Sequence, residues 1–289
     1  MQNERISIVI PAKNEEQGLT LILPELLELY PDAEVIIVSD ASSDGTPSVA
    51  KKYGCKLIEH PYSKGNGAAI KSGLRVATGD VVVCMDADGQ HRPQDVTLLL
   101  QQLSAGYDMV VGARDKKGQA GVHRSFANRF YNKFASWMVG HKVEDLTSGF
   151  RAVRRDKFLE FISLLPNKFS YPTTITMSFF RAGYSIAYVP VEVKKRLEGT
   201  QSHIRIWQDG VRFLLIIFKI GTLFSPLKMF APISLILFSS GLAYYFYTYV
   251  TDGRFTNMAL LLFTTSIIVF LMGLISEQIT SLYYKGNKD

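Results

Sequence analysis

Along the first 113 residues, short runs of β-branched and other apolar residues alternate with longer stretches of helical periodicity. This pattern predicts strands at Ile6–Ile10, Val35–Ser39, Lys56–Glu59, Val81–Met85 and Met109–Gly112. Helices are predicted between them at Glu15–Tyr30, Asp44–Gly54, Gly67–Ala77 and Pro93–Ala105. Strands alternating with helices imply a doubly wound α/β domain with a mostly parallel sheet. Further along, Met229–Val250 and Phe255–Ser276 are apolar and free of charge, 22 residues each. At 1.5 Å per residue each makes about 33 Å of helix, enough to cross a bilayer. Only Thr251 to Arg254 joins them, so they predict an antiparallel transmembrane hairpin with both outer ends on one side.

Two weaker apolar stretches precede the hairpin. Phe213–Leu227 is too short to cross and is interrupted by Lys219 and Pro226, which suits a juxtamembrane helix lying in the interface over residues 204–228. In Val122–Val139, Val122, Phe126, Phe130, Phe134 and Met138 recur every four residues, with Arg124, Arg129 and Lys133 elsewhere. That is an amphipathic helix, open to two readings: a membrane-facing helix or an ordinary core helix. The predicted domains are residues 1–203, 204–228, the spans within 229–276, and a tail over 277–289.

Composition matters chiefly through its distribution. The mean hydropathy of +0.09 averages a charged domain with an apolar hairpin. The net charge of +6 hides +7 over residues 114–155, +5 over 194–228 and −6 over the rest of the first 228 residues. Positive charge therefore gathers where a helix meets anionic lipid or a phosphate substrate. Lys219, Lys228, Lys285 and Lys288 flank the outer ends of the hairpin against Arg254 alone at the connector, which predicts cytoplasmic outer ends. The opening MQNERISIVI lacks a signal-peptide layout, in keeping with a cytoplasmic first domain. Tyr244, Tyr245, Tyr247 and Tyr249 form an interfacial belt at the far end of the first span. The two cysteines, Cys55 and Cys84, lie in apolar runs and read as buried reduced thiols.

In an open parallel sheet, ligands bind beyond the carboxyl ends of the strands. There stand Pro11, Asn14 and Glu15 after the first strand, and Asp40 with Ser42, Asp44, Gly45 and Thr46 after the second. Asn14 and Asp44 can equally be helix caps, whereas Asp40 ends an apolar strand and can accept hydrogen bonds from a nucleoside. Lys64-Gly65-Asn66-Gly67 opens the next helix, where glycine permits close backbone approach and lysine meets phosphate. The spacing is not that of a P-loop, and no GxGxxG follows the first strand, which argues against a dinucleotide-dependent dehydrogenase. The strongest feature is Val81-Val82-Val83-Cys84-Met85-Asp86-Ala87-Asp88-Gly89-Gln90-His91. Two carboxylates one residue apart at a strand end suit a hard divalent ion shared with substrate phosphates.

With Gly112-x-Arg114, Arg75 and Asp145-x-Thr147-Ser148-Gly149-Phe150-Arg151, these motifs resemble the family 2 inverting nucleotide-sugar glycosyltransferases of GT-A fold. Within that family they are most similar to dolichol-phosphate mannose synthases and related polyprenyl-phosphate hexosyltransferases. The resemblance implies transfer of a hexose from a nucleotide sugar to dolichyl or undecaprenyl phosphate, with Mg²⁺ or Mn²⁺ as cofactor. It implies donor binding by Pro11, Asn14, Glu15, Asp40, Lys64, Gly65, Arg75, Asp86 and Asp88. Asp86, Asp88 and Gln90 would serve the metal, and Asp88, Arg114, Asp145 and Arg151 the catalytic centre. Arg114, Ser148, Arg151, Arg196, Ser202 and His203 would face the acceptor phosphate. Asp145 reads equally as an orienting group or as a turn cap. His203 stands where relatives carry lysine, and Ser148-Gly149-Phe150-Arg151 is nearer the mannose-type pattern than Gly-Asp-Phe-Arg.

A processive polysaccharide synthase is the second enzyme reading, although Gln201 to Trp207 lacks the Gln-x-x-Arg-Trp spacing and two spans are few for a polymer channel. A non-catalytic nucleotide-sugar-binding scaffold is the third. The expected surroundings are a nucleotide sugar, the polyprenyl lipid and the bilayer, without nucleic acid; self-association as a homo-oligomer is left open.

Overall fold

The computed structural model describes residues 4–114, 122–167, 171–193, 218 and 221–285, with the side chains of 122–128 and 283–285 outside that description. The chain divides into two compact units, Met1–His203 and Ile204–Asp289.

The first unit begins as the hydrophobic pattern predicts. In chain order it contains β1 (Ile6–Ala12), α1 (Glu16–Leu29), β2 (Glu34–Ser39), α2 (Thr46–Lys52), β3 (Lys56–Glu59), α3 (Asn66–Val76), β4 (Val81–Cys84), α4 (Asp95–Ser104) and β5 (Met109–Arg114). It continues with α5 (Val122–Val139), β6 (Arg151–Arg154), α6 (Arg155–Glu160), α7 (Tyr171–Ala182) and β7 (Ile186–Val191). The seven strands lie in the order β3-β2-β1-β4-β6-β5-β7. All run parallel except β6, which is antiparallel to both neighbours, with Arg151 opposite Cys84 on one side and Val111 on the other. No strand was predicted beyond Gly112. β6 is four residues bounded by arginines, so it carries no apolar run to mark it.

The central strands are buried on both faces. Ile8, Val9, Ile10, Ile36, Ile37, Val38, Val82, Val83, Val110 and Val111 are all fully inaccessible, which is why they read as continuous rather than alternating runs. One helical layer seals the sheet through Leu19, Leu23 and Leu26 of α1 and Val96, Leu99 and Leu103 of α4. Cys84 is buried within β4 and Cys55 half-buried; both are free thiols. Burial pushes their pKa values up to about 12 and about 11, so neither is a thiolate at neutral pH. α1 lies so close to the end of β4 that a Cβ on Gly18 would stand 2.0 Å from the Ala87 carbonyl oxygen.

The second unit contains two long helices, Pro226–Asp252 and Asn257–Lys285, joined at Gly253 in a left-handed conformation (φ 60°). Both are long and apolar enough to cross a membrane. The first predicted span falls inside its helix; the second, Phe255–Ser276, begins just before its helix, which runs on past it to Lys285. Small residues line their contact: Gly241 against Leu262 and Phe263, Gly273 against Phe230, and Ser234 donating to the Ser266 carbonyl at 2.8 Å. The outward faces are apolar, including Leu235, Ile236, Phe246, Ile268 and Leu282. The predicted juxtamembrane helix falls mostly on residues outside the described set.

Gly18→Ala should destabilise the first unit by about 1–3 kcal/mol, because α1 must back away from the Ala87 carbonyl. Thermal unfolding of the full chain in detergent reads this; an unchanged melting temperature would show that the approach is slack.

Candidate active site

Parallel strands bring the ends of β1, β2 and β4 to one edge, and the reversal of β6 brings the segment before it, Asp145–Phe150, to the same edge.

The loops after β1 and β2 are interlocked. Asn14 (φ 55°) accepts at its Oδ1 the Ser43 amide at 2.8 Å and donates its own amide to the Ser42 hydroxyl at 3.1 Å. Glu16 accepts the Gly45 amide at 2.9 Å, while Asp44 accepts the Glu16 amide at 3.1 Å and the Thr46 amide at 3.0 Å. The Glu15 amide donates to the Thr46 hydroxyl at 2.9 Å. Asp44, one residue before the N-cap Gly45, thus holds the first amide of α2 and also ties it to α1. Asn14 crosses to the second loop instead of capping α1. Pro11 is the penultimate residue of β1, paired with Val38.

Asp40 follows β2 and is buried. Its Oδ1 accepts from His60 Nδ1 at 2.7 Å and from the Lys64 amide at 2.8 Å; its Oδ2 accepts from the Ser63 hydroxyl and the Gly65 amide, both at 2.8 Å. A carboxylate has about four acceptor sites, so these bonds use its capacity. Burial alone would raise its pKa, but these bonds outweigh that and hold it at about 2. Instead of presenting free oxygens to a nucleoside, Asp40 clamps the loop that carries Lys64. Gly65 sits at φ 99°, a conformation that favours glycine, and so turns this loop into α3. His60 was missed from sequence because a single histidine beyond a short strand has no spacing partner. Arg75 lies apart from the group: it is exposed in the last turn of α3, about 15 Å of helix from Gly65.

Beyond β4, Asp86 is partly exposed and Asp88 nearly buried, with Asp88 Oδ1 accepting the Gln90 amide at 3.2 Å. Gly149 packs onto the Asp86 carboxylate, so closely that a Cβ there would stand 3.0 Å from Oδ2. His91 is buried, stacks on Phe150 at 4.7 Å, and lies 3.9 Å from Asp86 through Nε2. Burial lowers its pKa against the raising influence of Asp88, leaving a neutral ring.

Arg114, at the end of β5, forms a two-pronged pair with Asp145, Nε to Oδ2 at 2.7 Å and a terminal nitrogen to Oδ1 at 2.9 Å. Asp145 also accepts the Thr147 and Ser148 amides, each at 3.1 Å. Both readings of Asp145 therefore apply: it orients an arginine and caps a turn. Burial would raise its pKa, but the Arg114 hydrogen bonds and charge hold it below the usual carboxylate range. Ser148 is buried and donates its hydroxyl to the Gly112 carbonyl at 2.7 Å. Arg151 is fully buried. It donates to the Ser148 and Pro172 carbonyls and the Thr176 hydroxyl, with its guanidinium 5.8 Å from the Tyr171 ring. Neither Ser148 nor Arg151 is presented to a phosphate in this arrangement, because the antiparallel course of β6 turns the arginine toward α7. Arg196, Ser202 and His203 lie outside the described residues.

On α5, Tyr131, Ala135 and Met138 face inward, while Phe130 and Trp137 are 54% and 49% exposed, with Phe134 stacked on Phe130 and tilted against Trp137. The predicted apolar face is thus split: Met138 joins the core, and an aromatic stripe stays outside beside exposed Arg129 and Lys133.

Residues 7–161 match the glycosyl transferase family 2 model. The chain belongs to glycosyl transferase family 2. Residues 225–282 of this glycosyltransferase match a second model, the GtrB C-terminal hairpin, and with the two apolar helices they mark a membrane protein with two spans. Among relatives, it is 30% identical over 209 residues to an undecaprenyl-phosphate mannosyltransferase of Micrococcus luteus, covering 66% of this chain and 84% of that one. It is 25% identical to the glycosyltransferase AglJ of Haloferax volcanii over 99% of this chain and 97% of the relative. Glucosyl-3-phosphoglycerate synthase of Mycobacterium tuberculosis, solved with Mn²⁺, UDP and its product, shares the GT-A fold at a TM-score of 0.59 and 21% identity, over 74% of this chain and 80% of that one.

The Asp40 clamp carries a pH signature. Its folded pKa lies below the unfolded value of 3.8, so its stabilisation is complete above about pH 4 and is lost as pH falls toward 2. Asp40→Asn should cost roughly 2 kcal/mol at pH 7, a deficit that shrinks on acidification. Urea unfolding at several pH values measures it, and a pH-independent deficit would contradict the assignment.

Proposed function

We propose that this glycosyltransferase moves a hexose from a nucleotide sugar to a polyprenyl phosphate, dolichyl or undecaprenyl, at the cytoplasmic membrane face. GDP-mannose is the first donor in this reading, with UDP-glucose and UDP-N-acetylglucosamine next. The observation that carries it is the convergence, at one sheet edge, of the Asp86 and Asp88 carboxylates with an arginine, Arg114, held rigidly by Asp145. Its relatives and the attached hairpin support the lipid acceptor.

The donor set fits a hard divalent cation. Asp86 and Asp88 carry carboxylate oxygens and Gln90 an amide oxygen, all of them hard donors. That suits an Mg²⁺ or Mn²⁺ ion shared with the diphosphate. When bound, the cation supplies charge neutralisation for the departing nucleoside diphosphate.

The chain's own residues do the rest. An acceptor phosphate has a second pKa of about 6 and is largely dianionic at pH 7, so it needs no strong base. One of its oxygens bonds to the sugar C1 as the bond from C1 to the diphosphate oxygen breaks, with inversion. Asp145 is spent on Arg114 and two amides, so in this reading it positions and does not take a proton. Arg114 holds an anion, as a planar guanidinium can. The Lys64–Gly65 loop and the Pro11–Glu15 segment receive the nucleotide, and Arg196, Ser202 and His203 remain proposed partners of the acceptor phosphate. The hairpin's basic outer ends favour the cytoplasm, and the Phe130–Trp137 stripe with Arg129 and Lys133 suits an anionic bilayer surface.

The test is transfer by the purified chain in detergent, with Mn²⁺ or Mg²⁺, undecaprenyl phosphate and a panel of labelled GDP- and UDP-sugars. One lipid-soluble product is expected, reduced at least about a hundredfold in Asp88→Ala. A growing polymer would establish the processive reading instead, and full activity of Asp88→Ala would refute the assigned site.

A further inference from the structure

The buried chain Asp40–His60–Ser72 has no part in the chemistry above. His60 is 6% exposed and directly follows β3; its backbone amide donates to the Ser39 carbonyl at 2.9 Å. Its ring joins Asp40 at 2.7 Å through Nδ1 and the Ser72 hydroxyl of α3 at 2.9 Å through Nε2. An ionised carboxylate only accepts, so Nδ1 carries a proton and donates. In a neutral ring Nε2 then accepts from Ser72, and both nitrogens are satisfied. The histidine thereby braces three elements, the ends of β2 and β3 and the body of α3.

We infer that His60 is a positioning residue for donor binding: it fixes Asp40, and through Asp40 the Ser63–Gly65 backbone, in the geometry that receives the nucleotide. This rests on the reading that a nucleoside diphosphate binds at this edge. Rotation of the Asp40 carboxylate would break its bonds to Ser63, Lys64 and Gly65 together. Of the donors to Oδ1, only His60 comes from outside that loop, so it is the brace that does not move with what it holds. Asp40 then acts on the nucleotide through the loop, and the direct contacts fall to that loop, where Lys64 Nζ sits 5.5 Å from the exposed Tyr62 ring.

The test is binding of UDP and of GDP, each with Mn²⁺, to the full-length protein in detergent by calorimetry. His60→Ala should weaken the tighter of the two about tenfold, the equivalent of one lost hydrogen bond to a charged group. His60→Asn, whose amide N–H can replace the Nδ1 donor, should recover most of that loss. Equal binding by His60→Ala and wild type, or no recovery in His60→Asn, would overturn the inference. If His60→Ala shows no cooperative melting, Ser63→Ala decides in its place: weaker binding at a wild-type melting temperature supports the brace, and unchanged binding removes it. Failure of the wild type to bind either nucleotide would instead refute the nucleotide reading itself.

Discussion

One strand running against its neighbours determines which residues meet. A wholly parallel sheet would deliver only strand ends and following loops to its carboxyl edge. Because β6 is reversed between β4 and β5, the turn that precedes it arrives there as well. Gly149 then reaches the Asp86 carboxylate, Phe150 reaches His91, and Asp145 reaches Arg114 across a separation of 31 residues. The buried Arg151 is a cost of the same arrangement. Because the position opposite Cys84 and Val111 lies in the middle of the sheet, its two terminal nitrogens are satisfied by carbonyls and a hydroxyl beside an aromatic face, while its buried Nε has no hydrogen-bond partner among the described residues.

A division of labour among charged groups follows. Asp40, Asp44 and Asp145 are consumed by hydrogen bonds within the chain, and their pKa values lie below the ordinary range because those bonds outweigh burial. They shape loops. Asp86 keeps part of its surface in solvent, Lys64 stands in the loop that Asp40 clamps, and Arg114, at the end of β5, is held by Asp145. Acid residues at strand ends thus differ in what they hold, not in burial: Asp40 and Asp145 are buried and Asp44 is exposed, yet all three are committed to shaping loops.

Much of the first half was legible in the sequence. Strands buried on both faces leave unbroken apolar runs, so β1, β2 and β4 and the helices between them are predicted within a few residues, as is the first helix of the hairpin, whereas the second runs on from the predicted Ser276 to Lys285. The family motifs marked Asp86, Asp88, Arg114 and Asp145, which the structure brings to one edge. What escaped has physical reasons. β6 is too short and too charged to show a period. Arg75 shares a helix with the nucleotide loop, but a motif does not record that eleven residues of helix carry it to the far end. Arg151 and Ser148 are buried and bonded to carbonyls and a hydroxyl within the chain, which a sequence motif does not record. His60 acts through a carboxylate already assigned another role.

The two C-terminal helices, of 27 and 29 residues, are longer than a bilayer core requires. They measure about 40 Å or more against a hydrocarbon thickness near 30 Å. Their surplus is polar, with Lys228 at one end of the hairpin and Thr251 and Asp252 at the other. In a thin membrane the pair must lean, or draw its terminal turns through the headgroups; in a thick, sterol-rich one it can stand nearly upright. Mismatch is set by the apolar stretches, about 33 Å each and close to the bilayer core, so the additional turns serve to carry the helix ends through the headgroup region.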